Sequence, residues 1–236
     1  MEQSSHSKFD ASRAEEYARQ ARIALAGYDA CHELSACILA AAHPERRDAK
    51  VLVVGAGGTG GEVLAAAGLE SGWSFVAVDP STPMLDLARA QIEAAGLSSR
   101  VTFVYGDLLA VPPETTFDAA LVIGVLHHIP DDVGKETLLD EIAMRLRPGA
   151  SLILAGNYRN YASEPLLLAA WANRWRMGGA DKDEVQRKLN KIMSGAAPPE
   201  SEERVGNLLA EAGFETPSKF FSSLFWGAWH TRRVNG

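Results

Sequence analysis

A short apolar run that breaks into glycines constrains this chain more than any other feature. Residues 51–54 read Val-Leu-Val-Val, and residues 55–61 read Gly-Ala-Gly-Gly-Thr-Gly-Gly. The run predicts a buried strand, and the glycines predict a turn whose backbone amides approach a ligand where the next helix begins. Gly55, Gly57 and Gly60 match the spacing G-x-G-x-x-G, which is a weak signal by itself. The turn either cradles a nucleotide cofactor or simply joins a strand to a helix.

Two acids follow the next two apolar strands. Residues 75–78 end at Asp79, where an acid of a doubly wound sheet can accept hydrogen bonds from ribose hydroxyls. Residues 101–105 lead to Asp107 and Leu108, whose carboxylate and amide can pair with the amino group and a ring nitrogen of adenine. A nicotinamide cofactor and S-adenosylmethionine are equally compatible with Asp79. The sequence offers no basic residue or second glycine-rich loop for a pyrophosphate, which favours S-adenosylmethionine.

The order of these segments resembles the class I S-adenosylmethionine-dependent methyltransferases over roughly residues 48–156. The segments that carry the resemblance are VLVVGAGGTG, FVAVDPSTPMLDLARA, VTFVYGDLLAVP, FDAALVIGVLHHIPDD and LLDEIAMRLRPGASLILAG. The resemblance implies S-adenosyl-L-methionine as the cofactor. The cofactor contacts that we expect are Tyr17, Arg22, Tyr28, Gly55, Ala56, Gly57, Gly60, Asp79, Pro80, Ser81, Met84, Gly106, Asp107, Leu108, Ile123 and Gly124.

Both ends of the chain are similar to the carboxy-S-adenosylmethionine synthases and their methyltransferase relatives. At the start, Phe9-Asp10, Ala14-Glu15, Tyr17 and Gly27-Tyr28 have the spacing of that group, and Arg22 could pair with the methionine carboxylate or face solvent. At the end, the segment ERVGNLLAEAGFETPSKFFSSLFWGAWHTRR resembles its helix, turn and closing hairpin.

The chain departs from this pattern at three positions. The family often has an acid two residues before the first glycine, where this chain has Val53, and Gly58 is an extra residue in the turn. The arginine that the synthases direct at the extra carboxylate is missing, and Arg204 is the nearest candidate. These differences favour ordinary S-adenosylmethionine over its carboxylated derivative and leave the binding of the methionine amino group open.

The predicted fold class is α/β, with a Rossmann-like, doubly wound, mostly parallel seven-stranded sheet. Strands alternate with helices near residues 61–70, 84–95 and 134–146, and residues 151–155 form a fifth strand. Residues 1–236 are predicted as a single domain with a helical lid at 1–45 and a cofactor-binding core at 46–156. A helical cap inserted after the fifth strand occupies residues 157–200, and residues 201–236 supply the C-terminal helix and closing strands.

Composition limits the classes of molecule that the protein is expected to bind. The net charge of −7 disfavours nucleic acid, and no apolar run is long enough to span a bilayer, so we expect a small-molecule substrate and no membrane. The polar start at residues 1–8 lacks a signal peptide, and two cysteines cannot form a disulfide framework, which predicts a cytoplasmic protein. Clustered metal ligands are absent from the sequence pattern, so no metal is expected. A homodimer is the default expectation for a soluble enzyme.

Four residues are candidates for catalysis. His127 follows the fourth strand and could take a proton from the acceptor, and it is a better candidate than its neighbour His128. Alternatively, His127 only caps the strand. Asn157, Tyr158 and Tyr161 follow the fifth strand, where they could orient a substrate, although a turn cap and a core tyrosine are equally compatible.

The leading hypothesis is a small-molecule methyltransferase, and three classes compete with it. The first consumes S-adenosylmethionine without methylation, either as an intramolecular cyclase that gives azetidine-2-carboxylate and methylthioadenosine or as a carboxy-S-adenosylmethionine synthase-like enzyme. The second is a non-catalytic binding module, and the third is a nicotinamide dehydrogenase. The adenosyl product distinguishes transfer from internal displacement.

Overall fold

A computed structural model describes residues 11–235, and from residue 16 onward it also describes the side chains. The expectations that fall on residues 1–8 and on Phe9-Asp10 lie outside this part of the chain, as do those on the side chains of Ala14 and Glu15.

One seven-stranded sheet organises the described residues, in the order β3-β2-β1-β4-β5-β7-β6. The first five strands are parallel, and the last two add antiparallel to β5 and to each other. The strands are β1 (Lys50–Val54), β2 (Ser74–Asp79), β3 (Val101–Tyr105), β4 (Phe117–Ile123), β5 (Leu146–Asn157), β6 (Ser218–Ser223) and β7 (Trp226–Arg232). The predicted α/β class and Rossmann-like layout are confirmed.

Eight helices accompany the sheet in the described residues. Two precede it, α1 (Ala11–Ala24) and α2 (Tyr28–Ala42), and they are separated at Gly27, which has a left-handed φ of 84°. The others are α3 (Gly61–Leu69), α4 (Thr82–Ala94), α5 (Asp132–Arg145), α6 (Pro165–Met177), α7 (Lys182–Gly195) and α8 (Glu202–Glu211). Helices α6 and α7 form the insertion after β5, as the sequence predicts.

The core lies on both faces of the sheet because alternate residues of each central strand point to opposite sides. Leu52 and Val54 pack with α5 and α8 on one face, whereas Val51 and Val53 pack with α2 and α3 on the other. These four residues of β1 are buried, so the strand fixes the position of the glycine turn that follows it.

The fifth strand is longer than predicted. The sequence predicts this strand at residues 151–155, but Arg147, Pro148 and Gly149 also belong to β5, which begins at Leu146. The strand follows the helix without a separate loop, and its pairing with β4 shifts register between Phe117 and Ala119.

Within residues 11–235, no single helix is both long and apolar enough to cross a membrane. The segments Glu16–Ala24 and Tyr28–Ala42 meet the length and composition only when taken together, and they meet at an angle of 81°.

Candidate functional site

A cavity of about 800 Å³ opens beyond the carboxyl ends of β1, β2, β4 and β5. This is the edge at which doubly wound sheets bind ligands. Helices α1 and α2 cover one side of the cavity, and α6 and α7 cover the other. Of the residues predicted from sequence, its lining includes Tyr17, Tyr28, Gly55, Gly57, Asp79, Pro80, Met84, Ile123, Gly124, His127 and Asn157.

The glycine turn at the floor of this cavity is built without room for side chains. A Cβ on Gly57 would lie 2.5 Å from Met84 Cβ and 2.7 Å from Asp79 Oδ2, and one on Gly55 would lie 2.3 Å from Val125 Cγ2. Gly55 also has a left-handed φ of 69°. Glycine is therefore required here by the close approach of β2 and the segment after β4, and the turn leaves the cavity floor open to a ligand.

Asp79 is the acidic group at the centre of the floor. Its side chain is buried, and its two carboxylate oxygens accept hydrogen bonds from Gly57 N at 2.9 Å and Ser81 N at 2.7 Å. A carboxylate oxygen has a second lone pair, so each oxygen can still accept from a hydroxyl in the cavity. The geometry fits the predicted contact with a ribose.

The residues predicted to contact adenine lie outside the cavity. Asp107 is exposed, and its carboxylate accepts from Leu109 N at 3.0 Å as the cap of a short helical turn at Leu108–Ala110. Gly106 donates from its amide to the Asp79 carbonyl, which holds the ends of β2 and β3 together. Five predicted cofactor contacts, Ala56, Gly60, Gly106, Asp107 and Leu108, do not line the cavity, and neither does Ser81. Their direct cofactor contacts stay predictions.

The structure corrects the position of Arg22. Its guanidinium forms a two-pronged ion pair with Asp29 on the surface, at 2.9 and 2.7 Å, and it does not line the cavity. Two tyrosines of α1 and α2, Tyr17 and Tyr28, do line the cavity, and their cofactor contacts stay predictions. Tyr17 lies against Gly58, and Tyr28 donates or accepts a 2.5 Å hydrogen bond with Thr59 of the glycine turn.

The two histidines after β4 differ in burial. His127 is 4% exposed, and burial lowers its pKa to about 3. Its Nδ1 accepts from Asn157 N at 3.4 Å, so Nε2 carries the proton of the neutral ring. His128 lines the same cavity and is more exposed than His127, and partial burial lowers the pKa of its ring. We therefore prefer His128 as the candidate proton acceptor, whereas the sequence put His127 first.

The polar and aromatic cluster at the end of β5 is held mainly by contacts within the protein. Tyr158 is buried in the core against Trp229 and is not at the cavity, which corrects its predicted role in catalysis. Asn157 lines the cavity, but its Nδ2 donates to the Tyr161 hydroxyl at 2.9 Å. Tyr161 packs against Trp171 and Phe225 and borders a different cavity. The pair therefore fixes the start of the insertion.

Sequence reasoning missed several residues of the cavity wall. Two of them, His32 and Glu62, form a buried pair beside the glycine turn. Glu62 could have been found, because it is the single acid in the apolar helix α3. Three tryptophans, Trp171, Trp175 and Trp226, also line the cavity.

Comparison with known proteins identifies a methyltransferase domain in the chain. A family model described as a methyltransferase domain matches residues 51–149. A carboxy-S-adenosyl-L-methionine synthase from Yersinia pestis is 24% identical over 159 residues, which cover 66% of this chain. The chain spans 58% of that relative's own length.

Solved structures share the fold at low sequence identity. An O-methyltransferase family 2 protein from Planctomyces limnophilus, solved in complex with apigenin, has a TM-score of 0.68 at 19% identity and covers 96% of this chain and 63% of its own. Human N-acetylserotonin methyltransferase, solved with S-adenosylmethionine, has a TM-score of 0.58 at 17% identity and covers 86% of this chain and 52% of its own.

Proposed function

Because residues 51–149 form a class I S-adenosylmethionine-dependent methyltransferase domain, we propose that the protein methylates a small molecule with S-adenosyl-L-methionine as the donor. The observation that carries this proposal is one continuous cavity. It joins the glycine turn and Asp79 to an apolar chamber with His128 at its wall.

The residues present fit the donor. The glycine turn offers backbone close to a ligand, and Asp79 offers a buried carboxylate for a ribose. When bound, S-adenosylmethionine supplies a methyl group on a sulfonium, which is an intrinsically good leaving group. The protein then has to align the acceptor, exclude water and remove a proton.

His128 is the residue that we propose as the proton acceptor. Burial keeps its pKa below the ordinary value of a histidine, so it is neutral at physiological pH and can take a hydroxyl proton. His127 contributes its Nε2–H as a hydrogen-bond donor, because its Nδ1 is used by Asn157 N.

The acceptor that we propose is a small, flat molecule with a hydroxyl group. The chamber wall is largely aromatic and aliphatic, with Trp171, Trp175, Trp226 and Ile192 around the histidines. Ligand sites of about 300–1,000 Å³ usually hold one drug-sized molecule. Since this cavity of about 800 Å³ must also hold the donor, the space left suits a small acceptor. The similar proteins solved with apigenin and named for N-acetylserotonin support this acceptor chemistry.

The carboxy-S-adenosylmethionine synthase alternative finds little support at the site. Arg204, the nearest candidate for the missing arginine, pairs with Asp132, Glu136 and Glu211 and does not line the cofactor cavity. The intramolecular cyclase and the non-catalytic module are alternatives that the product assay decides.

Two measurements test the proposal. Thermal unfolding should shift upward with S-adenosylmethionine and S-adenosylhomocysteine but not with NAD. Mass spectrometry of the turnover mixture with phenolic acceptors should give S-adenosylhomocysteine. No stabilisation by either adenosyl compound contradicts the proposal, and methylthioadenosine as the main product replaces it with internal displacement. The single domain, the cytoplasmic location and the homodimer stay predictions.

A further inference from the structure

The glycine turn lacks an acid on the strand that precedes it. Val53 occupies the position two residues before Gly55, and its side chain is buried in the core among α2 and α3. Val53 can therefore offer no charge to a ligand. A cation at this end of the cavity needs another carboxylate.

Glu62 supplies a carboxylate on the other side of the same turn. It is the second residue of α3, it is 8% exposed, and it lines the cofactor cavity. The first turn of a helix stabilises a negative charge, because unpaired backbone N–H groups point toward it. Glu62 thus places a carboxylate at the N-terminal end of α3, facing the cavity.

His32 holds one oxygen of this carboxylate. Its Nε2 lies 3.4 Å from Glu62 Oε2, and its Nδ1 lies 2.8 Å from the Tyr28 carbonyl oxygen. A carbonyl can only accept, so Nδ1 carries a proton, and Nε2 carries a second proton where it donates to the carboxylate, which makes the ring an imidazolium. Among the described residues, His32 is the one polar partner that the structure gives to the Glu62 carboxylate, which leaves Oε1 available.

Two contacts fix α2, which carries His32, against the turn. Tyr28 and Thr59 share a hydrogen bond of 2.5 Å, and the His32 ring lies 3.2 Å from the place of a Cβ on Gly61. Tyr17 lines the same cavity and lies against Gly58 of the turn. Burial raises the pKa of Tyr17, and the negative charges of Glu62 and Asp79 add to that rise.

We propose that Glu62 binds the α-ammonium group of S-adenosylmethionine, in place of the acid that β1 lacks, and that His32 is a positioning residue for its carboxylate. This inference rests on the proposed function. A carboxylate that His32 already holds in position favours binding of compounds that carry the α-amino group over compounds that lack it.

Calorimetry with three ligands tests the assignment. The ligands are S-adenosylhomocysteine, its analogue with hydrogen in place of the α-amino group, and methylthioadenosine, which lacks the amino-acid portion. Wild-type protein should bind the deaminated analogue roughly 10- to 100-fold more weakly than S-adenosylhomocysteine, as expected for a hydrogen bond between charged groups. Glu62→Gln should lose a similar factor for S-adenosylhomocysteine and should no longer distinguish the two compounds.

Methylthioadenosine separates a lost contact from a damaged fold. Its affinity should be the same in wild type and Glu62→Gln, because it presents no ammonium group. His32→Gln should give a smaller loss that is also confined to S-adenosylhomocysteine. The matched control is Glu33→Gln, which removes an exposed acid next to His32 on α2 and should change none of the affinities.

Each contrary result has a distinct meaning. Full discrimination against the deaminated analogue in Glu62→Gln overturns the role of Glu62, as does its absence in wild type. If Glu62→Gln does not fold by circular dichroism, Glu62→Asp retracts the carboxylate by one methylene, and undiminished discrimination there overturns the inference as well. If wild-type protein binds neither S-adenosylhomocysteine nor methylthioadenosine, the proposed function itself fails.

Discussion

Asp79 has two tasks, because the oxygens that face the cavity also hold the glycine turn. Replacement by asparagine keeps the size but turns one acceptor into a donor, which leaves either Gly57 N or Ser81 N without a partner. We expect Asp79→Asn to weaken S-adenosylhomocysteine binding roughly 10-fold or more in calorimetry. Asp140→Asn, an exposed acid on α5, is the control. Equal affinity in Asp79→Asn and wild type contradicts the ribose contact.

His128 gives a prediction about the pH dependence of turnover. The base must be unprotonated, and burial lowers the pKa of His128 from its usual 6.5. The rate should therefore be constant near neutrality and fall only as the pH drops below 6.5. His128→Ala should lower kcat roughly 100-fold or more and remove this acidic limb. His230→Asn removes a histidine of β7 that bonds Ser151, and it should keep the limb.

His127 gives a prediction about stability in acid. The folded protein keeps the ring neutral with a pKa of about 3, whereas the unfolded chain protonates it near 6.5. The unfolded state thus binds more protons below pH 6.5, and the fold loses stability as the pH falls from there toward 3. The expected loss is about 1.4 kcal/mol per pH unit from this residue. Denaturant unfolding of His127→Gln should show a flatter pH profile than wild type, and an unchanged slope would refute the assignment.

Sequence pattern located the residues of the cavity floor but not every partner. Asp79 and the glycines follow directly from the strand-to-turn pattern, because backbone geometry decides their place. Arg22 and Tyr158 could not be placed in this way. The long side chain of Arg22 can pair with any acid within its reach, and in the structure it pairs with Asp29. Tyr158 directly follows a strand, and a shift of one residue in register decides whether such a side chain faces the core or the cavity.

The glycine turn and α3 give a matched pair of alanine substitutions. A Cβ on Gly57 would meet Met84 and Asp79, so Gly57→Ala should displace β2 from the turn and reduce S-adenosylhomocysteine binding more than 10-fold. A Cβ on Gly68, within α3, meets nothing within 4 Å. Gly68→Ala should raise the free energy of unfolding by about 0.5–1 kcal/mol and leave binding unchanged. Binding by Gly57→Ala at wild-type affinity would show that the turn is not a cradle.

Elements were predicted well where periodicity and glycine positions agree. The break at Gly27 and the strands of the core follow from the pattern, and the helices differ by a few residues at their ends. The early start of β5 could not be predicted, because Pro148 and Gly149 usually end an element. Here β5 is extended by its pairing with β4 at Leu146.

At the scale of the whole molecule, the two ends of the parallel strands have different roles. Asp118, near the start of β4, is 5% exposed and accepts from Lys50 N at 2.9 Å while pairing with Arg46 and Arg147. These contacts lie at the opposite end of the strand from the cavity and lower the pKa of the carboxyl against the effect of burial.

Asp118→Asn should therefore reduce stability without affecting ligand binding. We expect a loss of about 1–3 kcal/mol, since the two arginines are half-exposed, and a fall of several degrees in Tm. Calorimetry should give the wild-type affinity for S-adenosylhomocysteine below that Tm. A simultaneous loss of affinity would mean that the two ends of the strands are energetically coupled.

The place of β7 between β5 and β6 also bears on how the protein matures during synthesis. The edge of β5 stays unpaired while the ribosome makes α6, α7 and α8, and Trp226 of β7 completes the cavity wall only after that. An open strand edge invites association with other chains. A nascent polypeptide halted before β7 thus exposes a strand edge to other chains and lacks one wall of the chamber that we propose for the acceptor.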